Sequence, residues 1–287
     1  MNLSEPIPLS TMSEFFLGRK VLIASMHGKE KVIAPVLERL GMLPESMEGF
    51  DTDRFGTFSG EKERQGDPLT VLNDKCIAAH KETGIDLVVA SEGSFGPHPS
   101  LYFIPADDEL ILLKDFRKGL EMYVRELSTE TNFNFKDVDS EEDLLGFAQD
   151  VGFPEHGLIL RSGSNSIEKG ITSEKVLLEN YRKLRGTEFS KIRVETDMRA
   201  LYNPSRMHVI ASAAEKLFQA VSSECPACKM PDFSVRTSIP GLPCSLCGLP
   251  TTSSKGFIRN CRFCNYEQVE QSDRITEDPM YCNSCNP

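Results

Sequence analysis

The 287-residue chain has no Walker loop, no dinucleotide-binding glycine fingerprint, no nucleophile-elbow serine and no His-Glu-x-x-His pair, so the motif-borne routes to NTPase, dehydrogenase, α/β-hydrolase and zinc-protease chemistry are closed. It also lacks any apolar run near the roughly 20 residues that cross a bilayer, and no membrane partner is expected. A hydrophobic leader is missing: Met1 to Lys20 is polar and broken by Pro6 and Pro8. A reducing cytoplasm is therefore the expected setting, and disulfides are disfavoured. Positive charge is scarce, with 32 Lys and Arg against 43 Asp and Glu and a net charge of −11. Residues 223–287 carry six Lys and Arg against seven acids. Phosphate contacts need clustered cations, so non-specific nucleic-acid binding is disfavoured. Only Lys255, Arg259 and Arg262 form a small basic patch, diluted by Glu267 and Glu270, which leaves a local contact open. Before residue 225 cysteine is nearly absent, and the one example, Cys76, suits the inner face of a helix as a small hydrophobe.

Cysteine is concentrated instead at the other end. Eight of the nine fall within the last 63 residues as four Cys-x-x-Cys pairs: Cys225/Cys228, Cys244/Cys247, Cys261/Cys264 and Cys282/Cys285. Each pair places two thiolates within the bite of one tetrahedral ion, so four pairs supply two closed shells of four sulfurs. Closed shells leave no open coordination position for substrate, and two structural Zn²⁺ are expected. The gaps of 15, 13 and 17 residues suit zinc ribbons. Sequential sharing, with the first two pairs on one ion and the last two on the other, is the favoured arrangement; a cross-brace of first with third is its rival. The tail has few large apolar side chains, so metal must provide much of its folding free energy.

Upstream, the pattern is that of an α/β protein. Lys20 to Met26 reads as a buried strand, His27-Gly28 as a turn, and Lys29 to Leu40 as a helix ending at Gly41. Residues 42–66 have no helical period, and 51–60 read as strand and loop. Asp67-Pro68 starts a second helix that Gly84 ends. Ile85 to Ala90 is a core strand leading into a glycine-rich turn, Ser91 to Pro99. Strands follow at 109–114 and 121–127, then an acidic surface loop within 129–143. A helix over 140–151, a strand over 157–161, a Ser/Gly loop, a helix over 173–184, a strand over 191–196 and a periodic helix over 204–221 complete the region. The expected fold is α/β, a mixed sheet flanked by helices, followed by a double zinc ribbon. The expected divisions are a flexible lead over 1–16, an α/β domain over 17–222 and a zinc-ribbon domain over 223–287.

Two groups of residues can carry chemistry. The first lies at strand ends, where open α/β sheets place ligands: Glu92 after a buried strand, with His27, Lys29, Asp51, Asp53, Arg54 and Lys75 able to converge on it. Glu92 would serve as metal ligand or base for a Mg²⁺, and Lys29 and Lys75 would bind phosphate. On this reading Glu92→Gln leaves stability nearly intact. The second is Glu195-Thr196-Asp197-Met198-Arg199 with Asn203 to Met207. Two carboxylates on one strand face can hold Mg²⁺, and Arg199 and Arg206 can clamp an anionic substrate. An ion-paired structural junction, with the arginines neutralising those acids, is the equal alternative. His80, His156 and His208 form no cluster in the sequence and receive no role.

The run ETDMRALYNPSRM (Glu195 to Met207), followed by CPAC, PDF, GLPCSLCGLPT, CRFC and the terminal CNSCNP, resembles an uncharacterised, mostly bacterial family known only as a domain of unknown function. The resemblance spans about the last third and implies that this segment and the cysteine pairs belong together, which favours the junction reading of Arg199 and Arg206. It implies no activity. The amino-terminal half is similar in element order to the inosine-triphosphatase and Maf fold, through the opening strand with Lys29, the SGE-x-x-R stretch at 59–64, the Lys75 helix and SEGSFG at 91–96. That likeness implies lysines and acids handling a nucleoside triphosphate and Mg²⁺, although Ser25-Met26-His27 replaces the family's opening turn. Two functions follow as expectations. One is a zinc protein that hydrolyses a nucleotide or related phosphate with Mg²⁺; the other is a non-enzymatic scaffold using its ribbons for a protein or nucleic-acid partner.

Overall fold

The structure, a computed structural model, describes residues 15–47, 66–163, 166–185 and 191–287. The expectations for Asp51, Asp53, Arg54 and the 59–64 stretch lie outside these residues. The chain divides into two compact units, Gly18–Leu217 and Phe218–Pro287.

The first unit is α/β and contains two sheets where one was expected. Its larger sheet is mixed, with strands β1 (Lys20–Ala24), β2 (Leu43–Ser46), β3 (Leu87–Pro97), β4 (Pro105–Asp115) and β5 (Leu120–Ser128) in the order β2-β1-β3-β4-β5. The first three are parallel, and β4 and β5 complete an antiparallel meander. Helix α1 (Glu30–Arg39) links β1 to β2, and α2 (Pro68–Thr83) precedes β3. His27 and Gly28 turn the chain between β1 and α1, both with positive φ, 67° and 77°. Helix α2 begins and ends as its sequence dictates: the Asp67 carboxylate accepts from the Leu69 and Thr70 amides at 3.0 and 3.2 Å, Pro68 occupies the first turn, and Gly84 closes the helix at φ 72°. Leu72, Cys76 and Ala79 of α2 pack on Leu22, Ala24, Val88, Ala90, Leu110 and Leu112 of the sheet. Cys76 is indeed core, and burial pushes its thiol up to about 12.

Two expectations are corrected here. Ser91 to Pro97 is the second half of an eleven-residue strand, paired residue for residue with β4 from Ser91↔Ile111 to Pro97↔Pro105, and is not a turn. Its glycines suggested a loop; at Gly93 the absence of a side chain serves close packing, as shown below. The acidic stretch at 129–143 contains a strand, β6 (Phe135–Val138). That strand joins β9 (Ile192–Thr196), β7 (Leu158–Ser162) and β8 (Ser166–Ile171) in a wholly antiparallel sheet of order β6-β9-β7-β8. Helices α3 (Glu141–Asp150) and α4 (Glu174–Arg185) cover it through Leu144, Phe147, Leu177, Tyr181 and Leu184. Helix α5 (Pro204–Ser222) follows. No helix among the described residues is long and apolar enough to cross a membrane.

The second unit is an antiparallel sheet of β10 (Ser234–Pro240), β11 (Ser254–Asn260) and β12 (Glu267–Gln271). Its buried core is thin, formed mainly by Phe218, Val221, Phe233, Leu242 and the sulfurs of Cys225, Cys244, Cys261 and Cys282.

Candidate functional site

Strand geometry decides how the cysteines pair. Cys225/Cys228 precede β10 and Cys261/Cys264 follow β11; because the hairpin is antiparallel, with Ser234 opposite Asn260, both pairs fall at one end of the sheet. Cys244/Cys247 lie at the other end, where Cys244 forms a bridge with Glu277 that brings in Cys282/Cys285. Two tetrads result: Cys225, Cys228, Cys261 and Cys264, and Cys244, Cys247, Cys282 and Cys285, each with its sulfurs within 4.8 Å of one another. This is the cross-brace. The favoured sequential sharing is wrong because the seven-residue β10 runs straight between the first and second pairs and holds them apart. The knuckles are built alike. In the first three pairs the residue after the second cysteine takes positive φ (Lys229 61°, Gly248 73°, Asn265 57°), and its amide donates to the carbonyl of the first cysteine at 2.9 Å. Amides of Leu246 and Phe263 donate to the Cys244 and Cys261 sulfurs at 3.4 Å.

The tetrads fit a tetrahedral ion. Sγ–Sγ separations are 3.7 Å (Cys225–Cys264), 3.5 Å (Cys228–Cys261), 3.9 Å (Cys244–Cys285) and 3.7 Å (Cys247–Cys282). A tetrahedron with metal–sulfur bonds of about 2.3 Å has an edge of about 3.8 Å, whereas a disulfide needs about 2.05 Å. Each tetrad could hold a metal ion. The small basic patch beside them is spent internally: Arg259 pairs with Glu270 at 2.9 Å, and Arg262 lies 3.7 Å from Asp232.

In the first unit the candidate residues at the strand ends are buried and paired. Order β2-β1-β3 makes the β1/β3 boundary a topological switch point, and β1 ends at Ala24, opposite Ala90, so Ser91 and Glu92 lie just past its carboxyl end. Lys29 donates to Ser91 Oγ at 3.1 Å and lies 3.7 Å from Glu109 Oε2. Lys75 pairs directly with Glu92. Successive strand residues face opposite ways, so the Lys75–Glu92 pair sits under α2 while Lys29, Ser91 and Glu109 share the other face. The three residues expected in one cleft thus form two buried pairs, back to back across β3. His27 occupies the turn before Lys29, in the left-handed region.

In the second candidate group each named arginine meets a carboxylate. Arg199 grips Asp197 with both prongs, Nε–Oδ1 3.0 Å and Nη2–Oδ2 2.5 Å, and Asp197 also accepts from the Gly170 amide at 3.0 Å. Glu195 pairs with Arg161 at 2.9 Å. Arg206 goes elsewhere: fully buried, it donates from Nε to Glu109 Oε1 at 2.6 Å and from Nη1 to the Met198 carbonyl, and stacks over Phe95 with 5.1 Å to the ring centroid. The Asn203 side chain accepts from its amide at 2.9 Å. Glu109 and Asp107, both wholly buried, are the acids that the sequence reading missed. The signal was present in the alternation of Asp107, Glu109, Ile111 and Leu113 on one face of β4.

Asp107 meets no hydrogen-bond donor. Burial, with Glu109 adding to it and Arg206 and Lys29 opposing, pushes its carboxyl up to about 8; burial also lowers Lys29 to about 8, against the pull of Glu109. Between about pH 4 and 8 the folded chain therefore holds a proton at Asp107 that the unfolded chain has lost, so this contribution to stability is present at low pH and disappears as pH rises to 8. Lys29 acts oppositely: its folded value is depressed, and stability returns as pH rises from 8 toward 10. Urea midpoints of the wild type should fall from pH 6 to 8, and Asp107→Asn should flatten that decline; an equal decline in the variant refutes the assignment.

Comparison with known proteins adds one fact. A family model described as a domain of unknown function (DUF6671) matches residues 75–287. The chain belongs to this family. The matched span takes in the buried charges from Lys75 to Arg206 and both tetrads. No curated protein matches the chain. Among solved structures, the lipoprotein GNA1162 from Neisseria meningitidis aligns over 46% of this chain and 93% of its own, at 18% identity and a TM-score of 0.21, an overlap too small to bear on fold or function. The expected likeness to the inosine-triphosphatase and Maf fold is not shown by these comparisons.

Proposed function

We propose that this DUF6671 protein is a zinc protein whose tetrads are structural, and whose α/β unit binds a nucleotide or related phosphorylated small molecule just past the carboxyl end of β1, beside the middle of β3. The observation carrying the ligand reading is Lys29, an ammonium held at the sheet's switch point with Arg206 on the same face of β3. Once Asp107 is protonated, these two cations exceed the charge of Glu109, which suits an anion. Zinc is favoured by four thiolates per site at the edge length of a ZnS₄ tetrahedron.

Hydrolysis with Mg²⁺ is the enzymatic form of this reading, and it changes the expected behaviour of Glu92. Because its carboxylate is closed by Lys75, Glu92→Gln leaves a buried ammonium without its counter-charge and should cost about 3–5 kcal/mol. The earlier expectation of near-intact stability is withdrawn. The test is phosphate and pyrophosphate release from a panel of nucleoside triphosphates, deaminated bases included, with Mg²⁺ or Mn²⁺. Lys29→Met is run in parallel, each protein first shown to be folded. Wild-type turnover lost in the variant supports the reading. A folded, zinc-replete wild type that neither binds nor turns over any of them overturns it. The scaffold reading then takes its place, favoured by the exposed Leu246 and Phe263 within the second and third cysteine knuckles.

A further inference from the structure

His156 and Ser205 are joined by a short hydrogen bond, with His156 Nε2 2.9 Å from Ser205 Oγ. Nothing in the sequence places these residues together, since they lie 49 positions apart, with Ser205 inside the ETDMRALYNPSRM run and His156 outside it. The geometry defines the protonation of the ring. The Ser205 amide donates to the same Nε2 at 3.4 Å, so Nε2 carries the lone pair and the Ser205 hydroxyl also donates to it. The proton is then on Nδ1, which donates to the Gly152 carbonyl at 3.3 Å. The ring's seat is built for it: Gly152 has φ 84°, and a Cβ there would fall 2.8 Å from Nδ1. Nucleophile, base and orienter thus stand in the order used by hydroxyl nucleophiles, with a backbone carbonyl in place of the usual carboxylate.

Two further features turn this pair from a tether into a site. Ser205 lies in the first turn of the 19-residue α5, whose amino-terminal partial charge favours negative charge developing on Oγ and on an adduct. Ser205 also lines a groove of about 420 Å³ with Glu126, Ser128, Glu130, Thr131, Asn132 and His208, a size that admits a small molecule and a lining of hydroxyls with one amide and two carboxylates.

We infer that Ser205 is the nucleophile and His156 the general base of an esterase site in this groove, acting on small-acyl esters of polar alcohols. The Oγ–H proton passes to His156 Nε2 as the Oγ–carbon bond forms. The bond from the acyl carbon to the leaving oxygen then breaks, and that oxygen takes the proton from Nε2. A water gives a proton to Nε2 as its oxygen attacks the acyl carbon, and Ser205 leaves with that proton, freeing the carboxylic acid. No oxidant or metal enters. The site is independent of the Lys29 cluster, and its failure would leave the phosphate reading untouched.

The test uses the full, zinc-replete chain and a fluorophosphonate probe, whose phosphorus bonds to an activated serine as fluoride leaves. Peptide mapping should find one adduct, on Ser205, and p-nitrophenyl acetate hydrolysis should disappear as labelling completes. His156→Gln should slow labelling by about 10² or more. Absence of an adduct on Ser205 overturns the inference, as does unchanged labelling in the His156 variant. If that variant does not fold, the wild-type map decides by itself.

Discussion

A chain carrying Cys225→Ser with Cys261→Ser should retain one metal ion, whereas Cys225→Ser with Cys244→Ser should retain none at full affinity. The first pair of changes strikes one tetrad twice; the second strikes each tetrad once. Sequential sharing predicts the reverse, so metal content per chain, measured after equilibration with excess zinc and desalting, separates the two arrangements without a structure. The effect should be large. Structural zinc contributes roughly 10–16 kcal/mol in zinc-finger peptides near neutral pH. A unit whose non-cysteine core is little more than Phe218, Val221, Phe233 and Leu242 has nothing of that size to replace it. Limited proteolysis should therefore cut readily around the emptied tetrad. The intact tetrad at the other end of the three-stranded sheet should keep its metal. A chain that binds one ion with Cys225 and Cys244 both replaced, and none with Cys225 and Cys261 replaced, would sink the cross-brace.

What could be read in the sequence, and what could not, follows from the range of the interactions involved. Local chemistry was legible. Asp67-Pro68 and Gly84 bound α2, His27-Gly28 turns β1 into α1, and each Cys-x-x-Cys forms its knuckle, because those outcomes depend on residues within a few positions of each other. Pairing across the chain was not. The ligand sets depend on hairpin direction, and spacings of 15, 13 and 17 residues suit either arrangement. The second sheet escaped notice because β6 is four residues long and three of them are exposed, giving a polar sequence with no alternation to mark it. Glu92 looked like a loop residue because Gly93 and Gly96 flank it, yet both glycines lie in a strand. In the candidate site, Lys29, Lys75, Glu92 and Arg206 were found by residue type. Their partners were not, because Glu109 lies 97 residues from Arg206 and on the face of β4 that only register reveals. Of the second group, Arg199 pairs with Asp197 inside the motif, while Arg206 holds an acid outside it.

That last assignment carries the second large prediction. Arg206→Ala should lower the stability of the α/β unit by about 3–5 kcal/mol, because it strands the buried Glu109 carboxylate and the Met198 carbonyl in a dry interior. For a unit of this size the midpoint should fall by roughly 6–20 °C. Arg206→Lys should recover little: a lysine restores the charge but not the planar fork that serves Glu109 and Met198 at once and stacks on Phe95. The strand beneath is shaped around this pair, since a Cβ at Gly93 would lie 2.6 Å from Arg206 Nη2 and closer still to Glu109, so Gly93→Ala should disturb the same contact without touching a charge. The decisive comparison is the double change Arg206→Met with Glu109→Leu. If the pair's role is to hold the fold, replacing both charges with apolar side chains of similar bulk should recover part of the loss, the remainder being the cost of leaving Lys29 without Glu109 as its counter-charge. If ligand affinity then stays lost although the midpoint has partly recovered, the buried charges belong to the binding site as well as to the core. If affinity returns with the midpoint, the anion is held by Lys29 without Arg206.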